Sequence, residues 1–191
     1  MNIKNIIIIG AGNVATHLAI TLQKAGYNIL QVFSRTEASA STLATRLGCP
    51  YTTDIDKVSS EGQLYIVSVK DSALDSLLAP LTRRAPQALF VHTAGSVPMN
   101  IWQGQAQRYG VLYPMQTFSK QRPVDFHEVS FFTEANTQDD LKALNGIALS
   151  LGSKVYEASS EQRRYLHIAA VFACNFTNHM YAIADHLLSA P

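Results

Sequence analysis

The segment Ile6-Ile7-Ile8-Ile9-Gly10-Ala11-Gly12-Asn13-Val14-Ala15 constrains the fold more than any other stretch of this chain. Four consecutive β-branched residues suit a strand buried on both faces, where successive side chains pack into layers on opposite sides of a sheet. Although Lys4 precedes the run, it stops at Gly10. That is short of the roughly 7–15 apolar residues of a secretory leader and the roughly 20 of a membrane span. Gly10, Gly12 and Ala15 then fit the spacing G-x-G-x-x-A, and Val14, Leu18, Leu22 and Ala25 continue at helical spacing until Gly26. In a strand–turn–helix unit the first glycine permits the tight turn, and the second lets a pyrophosphate approach the backbone. The small third residue lets helix and strand pack closely, and the helix N-terminus stabilises the phosphate charge. Gly10, Ala11, Gly12, Asn13 and Val14 are therefore the expected contacts to a dinucleotide.

The alternation of strand and helix continues to about residue 158. Residues 28–33 supply a second strand, Thr36 opens a helix to about Leu47, and Gly48-Cys49-Pro50 ends it, because proline cannot continue a helix. Residues 51–53 form a short third strand and 63–69 a fourth. Asp71 or Ser72 caps a helix to about Leu81, and 88–92 form a fifth strand. Residues 110–113, 128–133 and 154–158 read as three more strands, with a helix over about 139–151. This order predicts an α/β fold with a doubly wound, mostly parallel Rossmann sheet of about eight strands. From Ser159 the pattern changes: Ser159-Ser160-Glu161-Gln162 fits the S-x-x-Q capping box, and nothing breaks the helix before Pro191. A single long helix cannot bury its own apolar stripe. Residues 159–191 are thus expected to begin a helical second domain, truncated here, beside a dinucleotide-binding domain over 1–158.

The end of the second strand bears on cofactor choice. Enzymes that take NAD usually place an acidic residue there for the ribose hydroxyls, whereas this chain reads Phe33-Ser34-Arg35-Thr36. Two hydroxyls and a guanidinium suit a 2′-phosphate, so Ser34, Arg35 and Thr36 favour NADP over NAD. The alternatives are a solvated charge at Arg35 and a helix cap at Thr36. Val69-Lys70-Asp71 and Thr93-Ala94-Gly95-Ser96 come after the fourth and fifth strands, where ligands of open parallel sheets gather, and either turn can line a nicotinamide. Asp71 and Ser96 also read as helix caps. In the terminal helix His167, Val171, Asn175 and Asn178 share one face beside Cys174. Polar groups in so apolar a stretch either meet partners between packed helices or face a polar pocket, and in the latter case His167 and Asn175 are the catalytic candidates.

Composition narrows the partners. Across 191 residues the formal net charge is +1 and the charged fraction 15%, without the basic excess that a nucleic-acid backbone selects. Cys49 and Cys174 lie far apart with no metal or redox spacing, which reads as two reduced core thiols in a cytoplasmic protein. His17, His127, His179 and His186 have no ligand spacing and read as structural or surface residues, so no metal site is expected.

The chain resembles a family of inferred NADP oxidoreductases that join a Rossmann domain to a C-terminal helical domain of uncharacterised function. The likeness rests on Gly10 to Ala15, Ser34-Arg35, His92-Thr93-Ala94-Gly95-Ser96, Tyr113-Pro114-Met115-Gln116-Thr117-Phe118, and the helix from Tyr165 through Asn178. It is more distantly similar to pyrroline-5-carboxylate reductases, deazaflavin-dependent NADP reductases and the wider 6-phosphogluconate dehydrogenase-like group. The resemblance implies NADP, a redox role on a small-molecule substrate and a homodimer through the C-terminal helical region. It leaves the substrate open. An NADP-dependent oxidoreductase acting on a small carbonyl, imine or hydroxyl compound is one expectation, and a non-catalytic NADP-binding sensor or partner-binding module is the other.

Overall fold

The computed structural model describes residues 3–189. Its centre is an eight-stranded sheet in the order β3-β2-β1-β4-β5-β6-β7-β8, formed by β1 (Asn5–Ile9), β2 (Asn28–Phe33), β3 (Tyr51–Thr52), β4 (Leu64–Val67), β5 (Leu89–His92), β6 (Arg108–Met115), β7 (Ser130–Ala135) and β8 (Lys154–Glu157). All neighbours are parallel except β6 and β7, whose pairing is antiparallel. The expected fold class holds.

The isoleucine run explains the layering. Ile6 and Ile8 pack with Leu18 and Leu22 of α1 (Asn13–Lys24), Leu43 and Leu47 of α2 (Glu37–Leu47), and Leu144 and Ile147 of α4 (Gln138–Ser150). Ile7 and Ile9 point the other way and pack with Leu74, Leu78 and Leu81 of α3 (Asp71–Arg84), and with Phe90 and Trp102. The period-two alternation of a strand thus covers both faces from one apolar run. Gly26 and Gly48, at φ +90° and +65°, end α1 and α2 in backbone that a side chain disfavours.

Several boundaries differ from expectation for physical reasons. Only the short 3₁₀ turn Ile55–Lys57 lies between β3 and β4, so that crossover lacks an α-helix. The N-cap of α3 is Lys70, and Asp71 is its first residue; the Asp71 carboxylate instead accepts a hydrogen bond from Ser96 Oγ at 2.5 Å. Thr36 does occupy the N-cap of α2, but its side chain makes no capping bond. Helix α3 passes through Pro80 and ends at Arg84 rather than near Leu81.

The terminal helix starts with the expected capping box, in which Ser159 and Gln162 satisfy each other's backbone N–H. It consists of α5 (Ser160–Ala170), a π turn (Val171–Phe176) and α6 (Thr177–Ser189). Its expected end at Pro191 lies outside the described residues. Cys49 is half-buried, and burial raises its thiol pKa. Cys174 is exposed rather than in the core, on the π turn. Among the described residues no helix is long and apolar enough to cross a membrane, and no group of three His, Cys, Asp or Glu side chains could hold a metal ion.

Candidate dinucleotide and substrate cleft

Strand β1 lies between β2 and β4, so the chain winds outward in opposite directions on its two sides. A crevice opens at the carboxyl ends of strands where the order reverses in this way. Here it is a cleft of about 670 Å³. Its walls include Gly10, Ala11, Gly12, Asn13 and Val14 after β1, Ser34 and Arg35 after β2, Val69, Lys70 and Asp71 after β4, and Thr93, Ala94 and Gly95 after β5. His167 reaches it from α5. Thr36 does not line it.

The glycines have different tasks. At Gly10 the backbone has φ +113°, and a Cβ would overlap the Ser68 carbonyl oxygen, so the turn passes against the end of β4. At Gly12 a Cβ would meet nothing within 4 Å, and no side chain caps the amide groups of α1. The first turn of α1 therefore presents free N–H groups to open space, which is what a pyrophosphate requires. Arg35, Lys70 and Lys120 supply cationic groups to the cleft, and Asp71 is engaged by Ser96. This donor set fits a dinucleotide with an additional phosphate.

The loop after β6 closes one side. The Asn13 side-chain amide donates to the Phe118 carbonyl at 2.8 Å, and His17 Nε2 lies 2.8 Å from the Ser119 carbonyl. Two residues of α1 thus fasten the segment that brings Gln116 and Lys120 to the cleft. His17 is structural, as its sequence context suggests.

At the other end, Tyr113 Oη lies 3.0 Å from His167 Nδ1, with both residues on the cleft wall. Gly95 packs against this pair: a Cβ there would be 2.7 Å from Tyr113 Cζ and 2.8 Å from His167 Nδ1. Burial raises the Tyr113 phenol pKa, and the Arg163 charge opposes the rise in part. Asn175 is exposed and lines neither this cleft nor the second cavity, of about 640 Å³, which Cys174, Thr177 and Asn178 border. The π turn explains the separation, since its wider winding rotates later residues out of step with a 3.6-residue repeat. The structure brings His167 to the cleft and does not bring Asn175 there.

Sequence reasoning missed the buried polar cluster that seats α5. Arg163 is fully buried, pairs with Glu134 Oε2 at 2.6 Å and donates to the Val97 carbonyl at 2.7 Å. Ser160 Oγ donates to the same Glu134 oxygen at 2.7 Å and accepts from the Met99 N–H at 2.8 Å. The available signal was an arginine one helical turn before His167, on the same side of the helix.

His92 is fully buried beside this cluster, and Ala94 N–H donates to its Nδ1 at 3.3 Å. Burial first, and then the Arg163 charge, lower its pKa from 6.5 to about 3, with the Pro98 backbone acting in the opposite direction. Below pH 6.5 the unfolded chain takes up a proton that folded His92 refuses, so stability is full above that pH and declines towards about pH 3. Between pH 7.5 and 5 the His92 contribution is a loss of about 2 kcal/mol. Urea unfolding of wild type and His92→Asn at both pH values checks this; an equal pH-dependent loss in the two proteins refutes the assignment.

Residues 5–95 match the family described as NADP oxidoreductase, coenzyme F420-dependent. Residues 129–190 match a domain of unknown function, DUF2520. Among solved structures the chain is similar to the candidate NADP oxidoreductase BF3122 of Bacteroides fragilis, at 55% identity and a TM-score of 0.94, over 97% of this chain and 72% of that one. It shares its fold with a prephenate dehydrogenase of Aquifex aeolicus in complex with hydroxyphenyl propionate and NAD+, at 17% identity and a TM-score of 0.72, over 93% and 70% of the two chains. It shares it also with an imine reductase of Myxococcus stipitatus in complex with NADP+, at 18% identity and a TM-score of 0.70, over 96% and 64%. No curated protein matches the sequence.

Proposed function

Because the chain belongs to the NADP oxidoreductase family of its Bacteroides fragilis relative, we propose that it moves a hydride between the nicotinamide of NADP and a small carbonyl, imine or hydroxyl compound. The observation that carries this reading is a single cleft. In it the open N-terminus of α1, the Ser34-Arg35 end of β2 and the imidazole of His167 line one continuous space. Residues 1–158 hold the dinucleotide, and α5 supplies the substrate-side wall. When bound, the nicotinamide supplies the hydride, and the chain's own residues position it.

Gly10, Ala11, Gly12, Asn13 and Val14 hold the pyrophosphate, Ser34 and Arg35 bind the 2′-phosphate, and Val69, Lys70, Asp71, Thr93, Ala94 and Gly95 flank the nicotinamide end. Arg35 carries the preference for NADP, since a guanidinium offers fixed donors and a permanent charge to a phosphate. His167 is the catalytic residue. A fold of this kind also serves non-catalytic binding. The Tyr113–His167 pair favours catalysis, because a sensor needs no titratable pair beside the nicotinamide end of its cleft.

The test is a titration of NADPH and NADH into wild type and Arg35→Ala. Wild type is expected to bind NADPH more tightly. Arg35→Ala should lose about 10–100-fold in NADPH affinity, the effect of about 1.5–3 kcal/mol from charge-assisted hydrogen bonds, while NADH affinity changes little. Equal affinity of wild type for the two nucleotides overturns the assignment of Ser34 and Arg35.

A further inference from the structure

Tyr113 is a buried phenol, and His167 Nδ1 is its hydrogen-bond partner among the described residues. The hydrogen bond has two possible directions. If the imidazole donates from Nδ1, the phenolic O–H has no acceptor among the described residues; if the phenol donates, its O–H is satisfied and the proton of the neutral imidazole must sit on Nε2. Only the second direction gives the phenolic O–H an acceptor among the described residues. Gly95 presses the β5 turn against both rings, which restricts their rotation. Among the described residues Nε2 has no protein partner, while His167 as a whole lines the cleft.

We propose that Tyr113 is a positioning residue that holds His167 in the Nε2–H tautomer, making the site a proton donor to the heteroatom of a carbonyl or imine, and hence a reductase site. This rests on the reading of the cleft as an NADP site. A tautomer with its lone pair on Nε2 would instead suit removal of a proton from an alcohol.

When a hydride adds to the carbon of a C=O or C=N group, the π electron pair moves to oxygen or nitrogen, which takes the proton from His167 Nε2. The proton on Tyr113 moves to Nδ1, so the imidazole stays neutral and a phenolate forms. Burial opposes that phenolate, and the Arg163 charge offsets part of the cost during the transfer. As product leaves, Nδ1 returns its proton to Tyr113 and Nε2 takes one from water, restoring the starting tautomer. Oxidised nicotinamide and reduced substrate are the only net changes, with one proton consumed.

The test is nitrogen NMR of the His167 ring in the full chain without nucleotide, at a pH where the imidazole is neutral, in wild type and Tyr113→Phe. The expected wild-type result is a protonated Nε2 and a lone pair on Nδ1. In Tyr113→Phe, which keeps the ring and so the packing, the two nitrogen shifts should move towards the averaged values of a tautomer mixture. A wild-type ring that is already a mixture, or is protonated on Nδ1, overturns the proposal, as does a Tyr113→Phe spectrum identical to wild type. A parallel NADPH titration separates the two levels. A wild type that holds the tautomer but does not bind NADPH refutes the nucleotide reading, and one that binds NADPH without the tautomer refutes only the role of Tyr113.

Discussion

Glu134→Ala is expected to lower the unfolding free energy by about 3–5 kcal/mol, and to do so by more than the removal of its partner Arg163. The asymmetry comes from burial. Arg163 has no exposed side-chain surface, whereas Glu134 retains 19%. Deleting the carboxylate strands a cation with no access to water, and its remaining acceptors, the Val97 carbonyl and Ser160 Oγ, carry no charge. Deleting the cation in Arg163→Met leaves a carboxylate that water can reach and that Ser160 still serves. The double variant should cost about as much as Arg163→Met alone, because the stranded charge is gone. Urea denaturation of the three variants decides the matter. If Glu134→Ala proves the milder single change, the pair does not anchor α5.

The second large effect is expected at Gly10. An alanine there must take φ +113° and drive a methyl group into the Ser68 carbonyl oxygen. Backbone on both sides leaves little room to yield: Gly10 N–H donates to the Phe33 carbonyl at 2.7 Å, and Ser68 N–H donates to the Ile9 carbonyl at 2.7 Å. The cost is about 3 kcal/mol or more, from strain at positive φ and overpacking together. Under the proposed function nucleotide binding is lost with it, because the turn and the end of β4 must separate. Gly12→Ala is the control. Its Cβ meets no protein atom within 4 Å, so stability should change little while nucleotide affinity falls. A Gly10→Ala protein as stable as wild type refutes the steric reading.

Most of the sheet was legible because its strands announce themselves locally. An unbroken run such as Ile6–Ile9 has one comfortable environment, and the glycines after it mark the turn. Lines of polar residues along a helix were harder to read. His167 and Asn175 look equivalent on a 3.6-residue wheel, yet one π turn sends them to different surroundings, and nothing in Val171–Phe176 marks that turn in advance. The buried pair was hidden for a related reason. Glu134 and Arg163 are far apart in sequence and each resembles an ordinary surface charge; only the packing of α5 on the sheet brings them together and removes Arg163 from water. Tyr113 was visible as the end of a strand and as part of the segment that carries the family likeness, but without a role, since a phenol gains a chemical role from what lies opposite its hydroxyl.

The reversal between β6 and β7 sets the polarity of the terminal helix. Because β7 and β8 run opposite to β6, the chain leaves β8 at the end of the sheet remote from the cleft, and α5 must climb back alongside β6. Glu134 stands across from Val111 in the ladder, and Tyr113 lies two residues further along β6. Two strand residues span about 6.6 Å, and the four helical residues from Arg163 to His167 span about 6 Å. Strand and helix therefore behave as two rulers of nearly equal graduation, pinned together at Glu134 and read at Tyr113. The seating of the imidazole in the cleft wall is therefore set from the pin, one helical turn away along α5.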